Sequence, residues 1–115
     1  MTSSTGTHII IDISDIEDNE LLKYQSTITE ILDKIVDRYQ LNVVGKAIHQ
    51  FQPFGVTGVY ILSESHLSIH TFVEERKAAL DLYTCTSFKD TENLEEFFKS
   101  LFNDKCQLVF KIIER

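Results

Sequence analysis

Apolar and polar positions along the 115-residue chain alternate with two different periods, and the switches between them mark the elements. The segment HIIIDIS (8–14) is rich in β-branched residues and predicts a strand. Asp18 or Asn19 can cap a helix running to about Gln40, in which Leu21, Ile28, Ile31, Leu32, Ile35, Val36 and Tyr39 recur mostly at three and four. LNVVGKAIHQF (41–51) predicts a second strand, and QPFG turns the chain through Pro53 and Gly55. VTGVYILSES and HLSIHTFV then supply extended chain. With side chains alternating, His66, Ser68, His70 and Phe72 fall on one face, and Ser65, Leu67, Ile69, Thr71 and Val73 on the other. EERK (74–77) has the length of a hairpin loop, and AALDLYTC (78–85) returns with Ala79, Asp81, Tyr83 and Cys85 on one face. A second helix is expected over roughly 91–103, with Leu94, Phe97, Phe98, Leu101 and Phe102 as its stripe. Asn103-Asp104 ends it, and CQLVFKII supplies a closing strand.

The order strand, helix, several strands, helix, strand predicts an α+β fold: a two-layer sandwich, largely antiparallel, with two helices on one face. The other sheet face then needs cover, and a second copy of the chain is its simplest source. The length suits a single domain with its own core.

Composition narrows the function classes. A hydrophobic fraction of 43% and a charged fraction of 25% are those of an ordinary globular protein. No apolar run approaches a membrane span, and MTSSTGTHII lacks a signal-peptide pattern, so a cytoplasmic protein with no membrane partner is expected. The net charge of −7 argues against nucleic acid, which requires clustered Lys and Arg. The two cysteines, Cys85 and Cys106, suit a reducing compartment and have no metal-ligand spacing.

SESHLSIH (63–70) concentrates three serines and two histidines in eight residues. Singly, such residues are ordinarily structural: a strand histidine, a core thiol, a serine in a turn or at a strand edge. Taken together, one strand carries Ser65 and His70 while its hairpin partner brings Asp81 and Cys85. That could place a hydroxyl, an imidazole and a thiol in reach of one cleft. A Ser-His-Asp hydrolase is conceivable, but there is no G-x-S-x-G elbow. His66 and His70 stand four apart on a strand, too far separated to favour a metal.

The stretch FQPFGVTGVYILSESHLSIHTFVEERKAALDLYTC (51–85) resembles the core of the prokaryotic-type S-adenosylmethionine decarboxylases, which use a pyruvoyl group. SESHLSIHT is specific, DLYTC follows at the right distance, and GTHIIIDI resembles the family's opening strand. The resemblance implies self-cleavage between Glu64 and Ser65, giving chains 1–64 and 65–115. The Ser65 hydroxyl would attack the preceding carbonyl, and β-elimination would leave a pyruvoyl group, since serine supplies both nucleophile and leaving group. By the same resemblance His70 takes the Cα proton, Cys85 reprotonates the substrate carbon, and Thr57 supports processing where the family usually has serine. Phe51 and Phe72 sandwich adenine, and Glu74 binds the ribose hydroxyls. The pyruvoyl carbonyl forms a Schiff base with the substrate amine and acts as electron sink.

Val73, the segment 75–77 and Thr86 depart from the family's pattern. The expected activity is decarboxylation of S-adenosylmethionine for spermidine synthesis, by a homodimer. Alternatives are the same chemistry on ornithine or arginine, or a non-processing regulatory subunit. Intact Ser65, His70 and Cys85 weigh against the last, and Phe51, Phe72 and Glu74 favour the nucleoside substrate.

Overall fold

A computed structural model describes residues 6–85 and 93–115. Its elements are β1 (Thr7–Ser14), a short 3-10 turn (Asn19–Leu22), α1 (Gln25–Arg38), β2 (Val43–Gln50) and β3 (Val56–Leu62). They continue with β4 (Ser65–Phe72), β5 (Lys77–Thr84), α2 (Leu94–Ser100) and β6 (Gln107–Glu114). The six strands form one sheet in the order β2-β3-β4-β5-β1-β6, and every neighbouring pair is antiparallel.

One sheet face is dry. Ile9, Ile11 and Ile13 of β1, Tyr60 and Leu62 of β3, Leu67 and Ile69 of β4, and Leu80 and Leu82 of β5 are buried together. Against them lie Ile28, Ile31, Leu32 and Ile35 of α1 and Leu94 and Phe98 of α2. The helices meet where the Tyr39 ring packs edge-on to Phe97 and stacked with Phe98. Tyr60 reaches out of this layer to donate to Asp33 Oδ1 at 2.7 Å. Burial and that carboxylate push its phenol well above the usual tyrosine range, so it stays a donor. At Gly58 a Cβ would come within 3.3 Å of Leu32, so the missing side chain is what lets α1 approach β3.

The α+β sandwich with both helices on one face is therefore as expected, with two local departures. The first helix is not continuous from residue 18. Asp18 caps only the 3-10 turn, accepting from Glu20 N at 3.1 Å, and Tyr24 is extended. The Lys23 carbonyl is drawn away to accept from Gly55 N (2.8 Å) and Gln50 Nε2 (2.9 Å), which ends the first turn. The second departure lies in the motif. The chain is not extended through Ser63-Glu64: Leu62 pairs with Ser65, and the two residues between form a hairpin turn with Glu64 at φ 59°. The second helix is described from Leu94 and ends at Ser100, short of the expected 103, with a turn carrying Leu101 and Phe102; its expected start at 91, and Thr86, lie outside the described residues.

The opposite sheet face carries no helix among the described residues. Ile61, Phe72 and Val109 stand on it at 53%, 45% and 70% exposure, too apolar a set to be indifferent to water.

Candidate active site

At one end of the sheet the β3–β4 turn meets the end of β5. The Ser65 Oγ accepts a hydrogen bond from Cys85 N at 3.2 Å, and the Cys85 thiol donates to the Glu64 carbonyl oxygen. The turn is held from the α1–β2 connection, where Asn42 Nδ2 donates to Ser63 Oγ at 2.7 Å and Ser63 N donates to Asn42 O at 3.1 Å. A cavity of about 220 Å³ opens beside it, lined by Tyr39, Leu41, Glu64, Ser65, Thr84 and Cys85 among others. A hydroxyl is thus held next to a carbonyl whose oxygen already has a donor, the arrangement an N-to-O acyl shift requires. Cys85 is exposed, whereas Cys106 is buried and its burial pushes that thiol up, keeping it protonated and inert.

The remaining expected residues gather at the other end. Thr57 and His70 are directly opposed across β3 and β4, with Thr57 Oγ1 and His70 Nδ1 3.1 Å apart. Beyond them is a cleft of about 380 Å³ lined by Phe51, Phe54, Gly55, Thr71, Phe72, Val73, Glu74 and Glu75. It offers two exposed rings, Phe51 and Phe72, and two carboxylates, Glu74 and Glu75. Stacking and hydrogen bonding to vicinal hydroxyls are what that set can do.

The two clusters do not touch. Ser65 and His70 lie five residues apart on one strand, about 17 Å at ordinary strand rise, and Ser65 and Phe72 about 23 Å. The expectation of hydroxyl, imidazole and thiol in one cleft therefore holds for Ser65 and Cys85 but not for His70 within one chain. Nor is a Ser-His-Asp triad assembled. His70 faces Ala79, whereas Asp81 Oδ1 pairs with His8 Nε2 at 2.8 Å, on a face shared with His66 and Tyr83. Among the described residues no group of three His, Cys, Asp or Glu side chains could hold a metal ion. Likewise, no described helix is long and apolar enough to cross a membrane.

Two residues went unnoticed in the sequence. Asn42 anchors the turn, and Gln50 holds the loop bearing Phe51. Gln50 left one signal, a polar side chain on the inward face of a strand otherwise packed with Val43 and Ile48.

Comparison with known proteins bears on the whole chain. Residues 7–115 match the family described as S-adenosylmethionine decarboxylase. The S-adenosylmethionine decarboxylase proenzyme of Archaeoglobus fulgidus is 39% identical over 100 residues, 87% of this chain and 85% of that protein. That of Persephonella marina is 34% identical over 115 residues, 100% of this chain and 85% of its own length. The crystal structure of the adenosylmethionine decarboxylase from Aquifex aeolicus superposes with a TM-score of 0.86 at 30% identity. The superposition covers 99% of this chain and 92% of that one.

Proposed function

The chain belongs to the S-adenosylmethionine decarboxylase family, and from that premise we propose that it cuts itself between Glu64 and Ser65 and then decarboxylates S-adenosylmethionine. The observation that supports this best is the Cys85 thiol on the Glu64 carbonyl with the Ser65 hydroxyl beside it. The hydroxyl adds to that carbonyl, the C–N bond breaks, and an ester forms while residue 65 gains a free amine. Removal of the Cα proton of residue 65 expels the Glu64 carboxylate. The resulting enamine tautomerises and loses ammonia to water, leaving a pyruvoyl ketone on the chain 65–115. Once formed, that group supplies an electron sink for the carbanion left when carbon dioxide departs. Cys85 is placed to return a proton there. Thr57 and His70 form the proton-abstracting pair, and Phe51, Phe72 and Glu74 hold the nucleoside.

These roles need both clusters at once, and a separation of about 17 Å rules out doing so within one chain. A second copy resolves this. Two uncovered faces stacked about a two-fold axis perpendicular to the strands would set the end of β4 that begins at Ser65, with Cys85, of one protomer against Thr57, His70, Phe72 and Glu74 of its partner. The same stacking covers Ile61 and Val109. The enzyme is thus a homodimer with two shared sites. It works in the reducing cytoplasm, where the exposed Cys85 remains a thiol.

Intact mass under denaturing conditions tests the first step. Chains 1–64 and 65–115 are expected, the second with a blocked N-terminus, and Ser65→Ala should stay whole; a wild type that never cuts would sink the reading. Mixing tests the second. His70→Ala and Ser65→Ala are each uncut alone, but co-expressed in equal amounts about half of the His70→Ala chains should be cut, because half acquire a partner with an intact histidine. No cutting in the mixture would place the proton-abstracting group within one chain or elsewhere.

A further inference from the structure

The nucleoside cleft has two walls, the loop Phe51–Gly55 and the turn 73–76, which come from separate hairpins. At their base the two hairpins are joined by Val56 N donating to Thr71 Oγ1 at 2.9 Å, and above it the loop and the turn are each tied to the segment 16–23. At one end of that segment, Gln50 Oε1 accepts from Gln25 N at 2.7 Å and so caps α1, for which Tyr24 offers no side-chain cap. Gln50 Nε2 donates to the carbonyls of Lys23 (2.9 Å), Phe51 (3.1 Å) and Gly55 (3.0 Å). Gly55 N adds a bond to Lys23 O at 2.8 Å. At the other end, Arg76 Nη1 donates to the carbonyls of Ile16 (3.2 Å) and Glu17 (2.5 Å), and Ile16 N donates to Arg76 O at 3.1 Å. Between the two ends, Ile16 and Leu22 are fully buried, so the segment is a strap nailed to the core.

We propose that Gln50 and Arg76 are positioning residues, which act through this strap to fix the spacing between the Phe51 loop and the Glu74 turn. The inference rests on the reading that this cleft takes the nucleoside half of the substrate. Neither side chain lines the cleft, and the end of the sheet where the chain is cut is remote from both. Their effect falls on binding: a loop already held in its bound shape loses less freedom when the ligand arrives.

The test uses the full chain after self-cleavage, with Gln50→Glu, Gln50→Leu, Arg76→Met and Arg76→Lys. Gln50→Glu keeps the acceptor for Gln25 N and loses both N–H donors that the three carbonyls share; Arg76→Lys keeps a cationic donor. Gln50→Glu and Arg76→Met should raise KM for S-adenosylmethionine about tenfold, the loss of roughly one net hydrogen bond, with kcat and the rate of self-cleavage at wild-type values. Arg76→Lys should recover part of the loss. Amide exchange should quicken at residues 51–55 in the Gln50 variants, and also at Gly55 in Arg76→Met, because the strap links the walls. Equal losses in kcat and self-cleavage would make these residues merely structural, and exchange confined to the mutated wall would remove the strap; either result overturns the inference. Glu74→Gln serves as the reference. If it raises KM while the strap variants do not, the inference fails and the nucleoside reading stands. If it too leaves KM unchanged, the nucleoside reading fails and takes the inference with it.

Discussion

Glu64 holds φ at 59°, a conformation that costs a residue with a Cβ about 1 kcal/mol, and it does so beside the bond proposed to be cut. The strain sits where the chemistry would relieve it. Cys85 donates to the Glu64 carbonyl, and the proposed mechanism uses it in both stages. Cys85→Ala should therefore slow self-cleavage on the order of 10²-fold, the usual effect of losing one donor to a developing oxyanion, and slow turnover as well. Cys85→Ser should restore cutting more than turnover, because a hydroxyl donates but is a poorer acid; time courses of chain cutting beside carbon dioxide release would show it. Glu74→Gln should weaken S-adenosylmethionine binding by about 1.5–3 kcal/mol by calorimetry while self-cleavage proceeds unchanged. The candidate reactive residues were legible as candidates through the resemblance of SESHLSIHT and DLYTC to a family's motifs. Gln50 and Asn42 were not, since their importance lies in backbone groups of distant segments, which leave no trace in local composition.

Among the elements, the two faces of β4 were legible because Leu67 and Ile69 alternate with His66 and His70, and the structure buries the first pair and leaves the second toward the uncovered face. The break before α1 was not, because it is imposed on the Lys23 carbonyl by Gly55 and Gln50, some thirty residues on. The turn at Ser63-Glu64 was hidden for a related reason: neither residue is the glycine or asparagine that usually announces such a bend. Gly58 tests how firmly α1 is seated on β3. Gly58→Val would press on Leu32 and should cost about 1–3 kcal/mol in urea unfolding, measured in a Ser65→Ala background so that cutting does not intervene. A cost near zero would mean that α1 lifts freely from the sheet.

At the scale of the whole molecule, the separation between Ser65 and His70 was implicit in the strand reading, since five residues of strand are too long for any side chain to bridge. Sedimentation at micromolar concentration should report a dimer. Ile61→Lys with Val109→Lys should yield monomers that remain uncut, whereas cut monomers would refute shared sites. The strand order carries a consequence of another kind. Cutting after Glu64 assigns β1, β2 and β3 to one product and β4, β5 and β6 to the other, yet β1 lies between β5 and β6. The two products are interleaved like the fingers of clasped hands, and parting them means dismantling the sheet rather than opening an interface. Each precursor protomer would fold as one body, at a rate independent of concentration, before it pairs with a second copy. The cut protein, once denatured, would have to reassemble its sheet from two bodies, so recovery of its secondary structure should slow in proportion as it is diluted while that of Ser65→Ala should not. Native shape in the mature protein would then be partly an inheritance: the proposed cut would discard the instructions for reaching it in a single step at the moment the chain acquires its reactive group.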